Sequence, residues 1–337
     1  MRRTTVQKLP LQRGLFAVYG EEVLKTHLSA PPSSTQHRSC TLGLFNPFAH
    51  EAGVYIPEDN CLFTTSTLHQ PEGGTENQIK INKLKIQTEV VMANGGVNYQ
   101  DGALFCAQGD LDTPGSLVYM EAKSPYKAMT LLDNFHGRLF NSPNDVVVHS
   151  NRSIWLTDPI YGYEQGFKPE PKLPSQVYRV DPQTGDVRVV ADGFGRPNGI
   201  CFSPDEKTVY TTDTDWIHGD GTVDDTRAST IYAFTVSSIS GSQFPTAKRV
   251  FAMADTGIPD GIKYDTTGNV YSGCGDGVSV WSAGGVLIGK IRIPGGVANF
   301  CFGRRGELFL LNETKFWVVG LRADVQGALL DNKLVDR

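Results

Sequence analysis

Six residues with oxygen-bearing side chains open six similar stretches of the chain: Glu51, Asn94, Asn144, Asn198, Asp260 and Asn299. Each begins a short apolar run, which is followed by a polar turn and a second run. In residues 144–158, 196–213 and 260–274 that second run ends in small polar residues. Glu, Asn and Asp supply hard oxygen donors and no sulfur, the ligand set that suits Ca²⁺. Ionised Glu51 and Asp260 would set two negative charges against one divalent cation. Asn-Gly and Asp-Gly are ordinary turn pairs that need no metal. Turn chemistry does not account for Glu51, which precedes Ala, or for Asn144, which stands between Pro and Asp.

Residues so far apart in sequence meet only if the fold brings repeat openings together. Further strand patterns follow the paired runs, at residues 116–121, 176–180, 230–236 and 277–281, and last strands follow several of these. About four strands per unit is the content of one propeller blade. The expected fold is therefore all-β, a six-bladed β-propeller with four-stranded blades around a central channel. The innermost strand of each blade lines the channel, so the six openings converge there. The propeller is expected over residues 41–325, with 41–45 as a ring-closing outer strand. Residues 1–40 form an N-terminal extension, in which 15–19 reads as a strand or a helix start and 21–28 as a short helix. Residues 326–337 form a C-terminal tail.

Composition agrees with a turn-rich β protein: 36 Gly and 19 Pro in 337 residues, 39% of them hydrophobic. A net charge of −5 gives no footprint for nucleic acid or an anionic membrane. No apolar stretch is long enough to span a bilayer, and the basic N-terminus lacks the apolar core of a signal peptide. A cytoplasmic location is expected. The cysteines at 40, 61, 106, 201, 274 and 301 are spread singly and read as free core thiols. No G-x-S-x-G, P-loop or dinucleotide fingerprint occurs, and the histidines show no zinc spacing.

Several motifs carry a family resemblance: His50-Glu-Ala-Gly-Val-Tyr, Phe140-Asn-Ser-Pro-Asn-Asp-Val-Val-Val, Thr157-Asp-Pro-Ile-Tyr-Gly-Tyr-Glu-Gln-Gly-Phe, Gly195-Arg-Pro-Asn-Gly-Ile-Cys-Phe-Ser-Pro-Asp and Pro259-Asp-Gly-Ile-Lys-Tyr-Asp. The sequence resembles the gluconolactonase, senescence-marker-protein and luciferin-regenerating-enzyme family, above all its fungal lactonohydrolase branch. The resemblance covers roughly residues 40–320. It implies a six-bladed propeller holding a divalent cation, usually Ca²⁺, with Zn²⁺, Mn²⁺ or Mg²⁺ as other candidates. It places the metal ligands on Glu51, Asn144, Asn198 and Asp260, and implies hydrolysis of a small-molecule lactone. The cation would polarise the carbonyl; Asp260 first, and Glu51 with it, are the catalytic carboxylates, Asp260 either activating water or attacking directly as nucleophile. Sugar-lactonase members carry an Arg two residues before the Asn matching Asn144; here that residue is Ser142.

Asn94, His69, Gln108, Tyr161 and Asn299 are expected to line the substrate pocket. Two other readings use the same residues: a tailoring hydrolase or cyclase of secondary metabolism, and a binding propeller without catalysis.

Overall fold

The computed structural model describes residues 15–18, 49–57, 61–66, 81–82, 90–304, 306–313 and 315–331. Apolar runs of five or six residues between polar turns pair with their sequence neighbours as antiparallel strands. Strand β1, Leu15–Val18, comes first. Strands β2 (Glu51–Ile56), β3 (Cys61–Thr65) and β4 (Ile81–Asn82) make a three-stranded sheet. Strands β5 (Ala93–Tyr99), β6 (Gly102–Ala107), β7 (Ser116–Glu121) and β8 (Ala128–Leu132) make a four-stranded blade. A small hairpin follows, β9 (Asn134–Phe135) with β10 (Arg138–Leu139). The next blade is β11 (Val146–Val148), β12 (Ile154–Asp158), β13 (Gln176–Val180) and β14 (Val187–Ala191), with a single helical turn, α1 (Tyr161–Glu164), between β12 and β13. Strands β15 (Pro197–Phe202), β16 (Thr208–Asp213), β17 (Thr230–Ile239) and β18 (Ser242–Met253) follow in order. Then come β19 (Ile262–Tyr264), β20 (Val270–Cys274), β21 (Gly277–Trp281) and β22 (Leu287–Arg292), and finally β23 (Asn299–Phe302), β24 (Glu307–Asn312) and β25 (Lys315–Gly320).

The result is an all-β propeller. Its innermost strands pack side by side in the order β2, β5, β11, β15, β19, β23, and β23 returns to β2. The expectation of six complete four-stranded blades is corrected. Five blades are laid out over residues 93–320, the last with three strands. The sector of β2–β4 holds a partial sheet whose third strand has two residues. The strand expected at residues 41–45 and the helix at 21–28 lie outside the described residues. Residues 15–18 are a strand, and β1 pairs antiparallel with β22, covering the outer edge of that blade.

Burial falls from the axis outward. Strands β2, β12 and β15 are buried at every residue, whereas β8 exposes its three central residues. Inner strands are covered on both faces by neighbouring blades, which is why they read as continuous apolar runs rather than as alternating ones. Trp155 on β12 packs edge-on against Phe202 of the next blade, with ring centroids 5.2 Å apart. Among the described cysteines, all five are free thiols and four are buried. One end of the channel, where β2, β5, β19 and β23 finish, is covered by the chain after β25. Asp265 there bridges to Gly327, and helix α2 (Ala328–Asp331) follows. A cavity of about 30 Å³ remains beneath it, lined by Tyr55, Asn98, Lys263, Tyr264, Phe302 and Leu329 among others. No helix among the described residues is long and apolar enough to cross a membrane.

Candidate metal centre

The opposite end of the channel is where the innermost strands begin, and there the polar openings collect. Glu51 is the first residue of β2, Asn94 the second of β5, Asn198 the second of β15 and Asn299 the first of β23. Asn144 and Asp260 come two residues before β11 and β19. Glu51, Asn94, Asn144, Asn198 and Asn299 are all buried. Strands β2, β5 and β15 share an irregularity. Their pairing register shifts between Glu51 and Val54, between Ala93 and Gly96, and between Pro197 and Ile200. A bulge re-aims the side chains beside it and is common next to active sites. At the first of these, Ala52 takes a φ of 51°, a backbone conformation few non-glycine residues adopt.

Sideways bonds tie each opening to the next sheet. Thr65 Oγ1 donates to the Asn94 carbonyl at 3.2 Å, and the Gly95 N–H donates to the Asn144 carbonyl at 2.8 Å. Thr157 Oγ1 donates to the Asn198 carbonyl at 2.7 Å and Thr212 Oγ1 to the Asp260 carbonyl at 3.1 Å. The Gly261 N–H donates to the Ala298 carbonyl at 2.9 Å, and Asn299 Nδ2 donates to Glu51 Oε2, which closes the circuit. The approach is close enough to explain the Gly after two of the Asn residues. A Cβ on Gly95 would lie 2.4 Å from the Asn144 carbonyl oxygen, and one on Gly199 2.6 Å from that of Asp260.

A second device fixes the turns that lead into two of the openings. Asp158 accepts the N–H groups of Asn141 at 3.0 Å and Ser142 at 2.8 Å, just ahead of Asn144. Asp213 accepts those of Gly195 at 3.1 Å and Arg196 at 2.9 Å, just ahead of Asn198. Thus Thr157-Asp158 and Thr212-Asp213 do the same two jobs: the Thr holds the next blade's opening and the Asp holds its own. Neither role was assigned from sequence, although the recurring Thr-Asp at the end of the second strand was a visible signal for it.

The electrostatics are those of a site short of positive charge. Burial pushes the Asp260 carboxyl well above the usual range, and the charge of Glu51 adds to the effect. Burial likewise raises Glu51, against the opposing pull of His50. His50 Nδ1 sits 2.7 Å from Glu313 Oε1. Burial pulls this imidazole down, but the bond and charge of Glu313 outweigh it and hold it at about 9.

At this mouth three buried oxygens have no hydrogen-bond partner among the described residues: Asn144 Oδ1, Asn198 Oδ1 and Asp260 Oδ1. An unpaired buried acceptor costs roughly 1–3 kcal/mol, so three at one channel mouth call for a common partner. Amide and carboxylate oxygens beside a buried Glu form a donor set that fits a hard divalent cation. No group of three His, Cys, Asp or Glu side chains suited to a metal occurs among the described residues, so the two amides are indispensable to such a site.

The pocket candidates divide. Asn299 is fully engaged: Nδ2 on Glu51, and Oδ1 accepting the Phe300 N–H at 2.8 Å. Its bond holds Glu51 in place. Asn94 and Gln108 are buried on the adjoining strands β5 and β6, or directly after them. Tyr161 opens α1, its hydroxyl 2.5 Å from Thr214 Oγ1, and burial raises that hydroxyl with a further push from the Asp260 charge. His69 lies outside the described residues. Ser142 is buried, its Oγ donating to the Pro159 carbonyl and accepting the Gly162 N–H, both at 3.0 Å. It anchors α1 and presents no charge. Arg196 pairs with Glu164 of α1 and with Asp215, so it braces the mouth rather than offering a free cation.

The family described as SMP-30/Gluconolactonase/LRE-like region matches residues 65–312. The chain belongs to this family. A lactonohydrolase of Aspergillus oryzae, oryL, is 30% identical over 90% of this chain and 73% of its own. A gluconolactonase of Zymomonas mobilis is 29% identical over 54% of this chain; the match spans 51% of that enzyme. The solved structure of a gluconolactonase from Xanthomonas campestris superposes with a TM-score of 0.68 at 26% identity, covering 90% of this chain and 94% of that one. The matched segment of this SMP-30/gluconolactonase-like chain contains Asn144, Asn198 and Asp260, whereas Glu51 lies ahead of it.

Proposed function

We propose that the protein is a lactonase whose site is a divalent cation, Ca²⁺ by preference, held by Glu51, Asn144, Asn198 and Asp260 in a ring of six sectors. The observation that carries this reading is the convergence at one channel mouth of three unpartnered buried oxygens, on Asn144, Asn198 and Asp260, with the buried carboxylate of Glu51. The relatives named lactonohydrolase and gluconolactonase support the substrate class. When bound, such a cation supplies Lewis-acid stabilisation of the charge that grows on a carbonyl oxygen.

The side chains then have separate tasks. Glu51 is held by Asn299 and stays a fixed acceptor. Asp260 has no protein hydrogen bond at Oδ1 to tie it down, so it is the carboxylate we assign to take the proton of the attacking water, although a bound cation lowers its basicity. The water oxygen bonds to the lactone carbonyl carbon, the ring C–O bond breaks, and the proton passes to the departing ring oxygen. The product is the open hydroxy acid. Tyr161, fixed to Thr214, walls the mouth.

A second reading, a tailoring hydrolase or cyclase on the same site, is favoured by Ser142, whose hydroxyl is consumed in anchoring α1 and leaves no cation for a sugar acid. The test is acid release from a panel of aldonolactones and alkyl-substituted γ- and δ-lactones by wild type and Asp260→Ala. Ring opening lost in the variant supports the proposal; wild-type activity in Asp260→Ala refutes it. A panel left wholly untouched by wild type favours the second reading.

A further inference from the structure

One buried charge pair touches the walls of the proposed cation site without belonging to it. Asp145 follows Asn144 and is almost wholly inaccessible. Its Oδ1 accepts the Val146 N–H at 2.8 Å, and its Oδ2 accepts the Ile200 N–H at 3.3 Å. The same Oδ2 lies 3.8 Å from Lys263 Nζ. The Asp145 N–H donates to Thr157 Oγ1 at 3.0 Å, and that hydroxyl donates to the Asn198 carbonyl. Ile200 comes two residues after Asn198, and Lys263 three after Asp260. One carboxylate therefore bonds to or pairs with the three innermost strands whose openings carry Asn144, Asn198 and Asp260. Lys263 is itself buried, and Asp145 is the one acid within ion-pair distance of it among the described residues.

A buried carboxylate and ammonium are costly to desolvate, and a hydrophobic pair of the same size is often no less stable. Such a pair is a poor stabiliser but a good spacer, because each charge has one low-energy place. We propose that Asp145 and Lys263 form a positioning pair that holds the oxygens of Asn144, Asn198 and Asp260 at the spacing a divalent cation needs. This rests on the metal reading above. The alternative is that Lys263 acts only through its charge. A positive charge near a cation site repels the cation, so removing it would then tighten binding. A positioning role gives the opposite sign, since loss of Lys263 leaves Asp145 buried and unpaired and lets three strands drift. Supporting groups of this kind typically contribute 10- to 100-fold to metal affinity.

The experiment is calorimetric titration of Ca²⁺ alone into chelator-stripped wild type, Lys263→Met, Asp145→Asn and the double variant, with near-ultraviolet circular dichroism to confirm folding. Lys263→Met is expected to weaken binding about tenfold, and the double variant to bind no more weakly than Asp145→Asn. Binding by Lys263→Met that is unchanged or tighter overturns the proposal, as does a double variant whose loss is the product of the two single losses. Lys263→Gln is titrated instead, with the same expectations, if Lys263→Met does not fold. Wild type that binds no Ca²⁺ overturns the metal reading and this pair's role together; binding by wild type with no loss in Lys263→Met overturns the pair's role alone.

Discussion

Asn299 donates from Nδ2 to Oε2 of Glu51 across the seam where β23 meets β2. The two residues are 248 positions apart, so a single hydrogen bond both closes the ring and sets the orientation of a proposed metal ligand. Replacing Asn299 with Ala removes the donor and leaves a buried carboxylate short of a partner, a loss of about 1–3 kcal/mol. The expected outcome is a lower urea midpoint in chelator, with part of the loss recovered on adding Ca²⁺. Equal loss with and without the cation would separate the seam from the site.

Gly199→Ala tests the close packing of the openings. The new Cβ would lie 2.6 Å from the Asp260 carbonyl oxygen and 3.0 Å from the Ile262 nitrogen, both backbone atoms. The strands bearing Asn198 and Asp260 must part, at a cost of about 1–3 kcal/mol. Lactone turnover is expected to fall by at least an order of magnitude while the circular dichroism spectrum keeps its β signature. Unchanged turnover would mean that the spacing of these openings does not matter to the chemistry.

Asp158 gives stability a pH dependence. Burial pushes its carboxyl from 3.8 up to about 7, against the two N–H bonds it accepts and the charge of Lys168. Between those values the folded chain holds a proton that the unfolded chain has lost. Its contribution is therefore present below pH 4, falls as pH rises to about 7 and is constant above that. The full change is about 4 kcal/mol at most, at 1.36 kcal/mol per pKa unit. The melting temperature of wild type should fall relative to that of Asp158→Asn as pH rises through this range; a difference that stays constant would contradict it.

The repeated run–turn–run pattern revealed the propeller because inner strands, buried on both faces, are forced into continuous apolar runs. It also marked Asn144, Asn198 and Asp260, whose side chains prove to be unpartnered at one channel mouth. Asn299 shares the repeat position, yet its two polar atoms bond to Glu51 and to the Phe300 N–H. Position in a repeat fixes where a side chain starts, not which neighbour claims it. The complete sixth blade failed for a similar reason: the count came from strand patterns, while β4 spans only two residues. Asp145 and Lys263 were invisible because each looks like an ordinary charged residue until three strands are brought together.

In the proposed reaction, lactone hydrolysis depends on one divalent cation held by Glu51, Asn144, Asn198 and Asp260. The most direct test of this dependence is activity of one enzyme sample before chelation, after it, and after titration with Ca²⁺. Ring opening is expected to be lost on chelation and fully recovered at one equivalent of Ca²⁺ per chain, with no recovery in Glu51→Gln. Full activity in the stripped protein would contradict it.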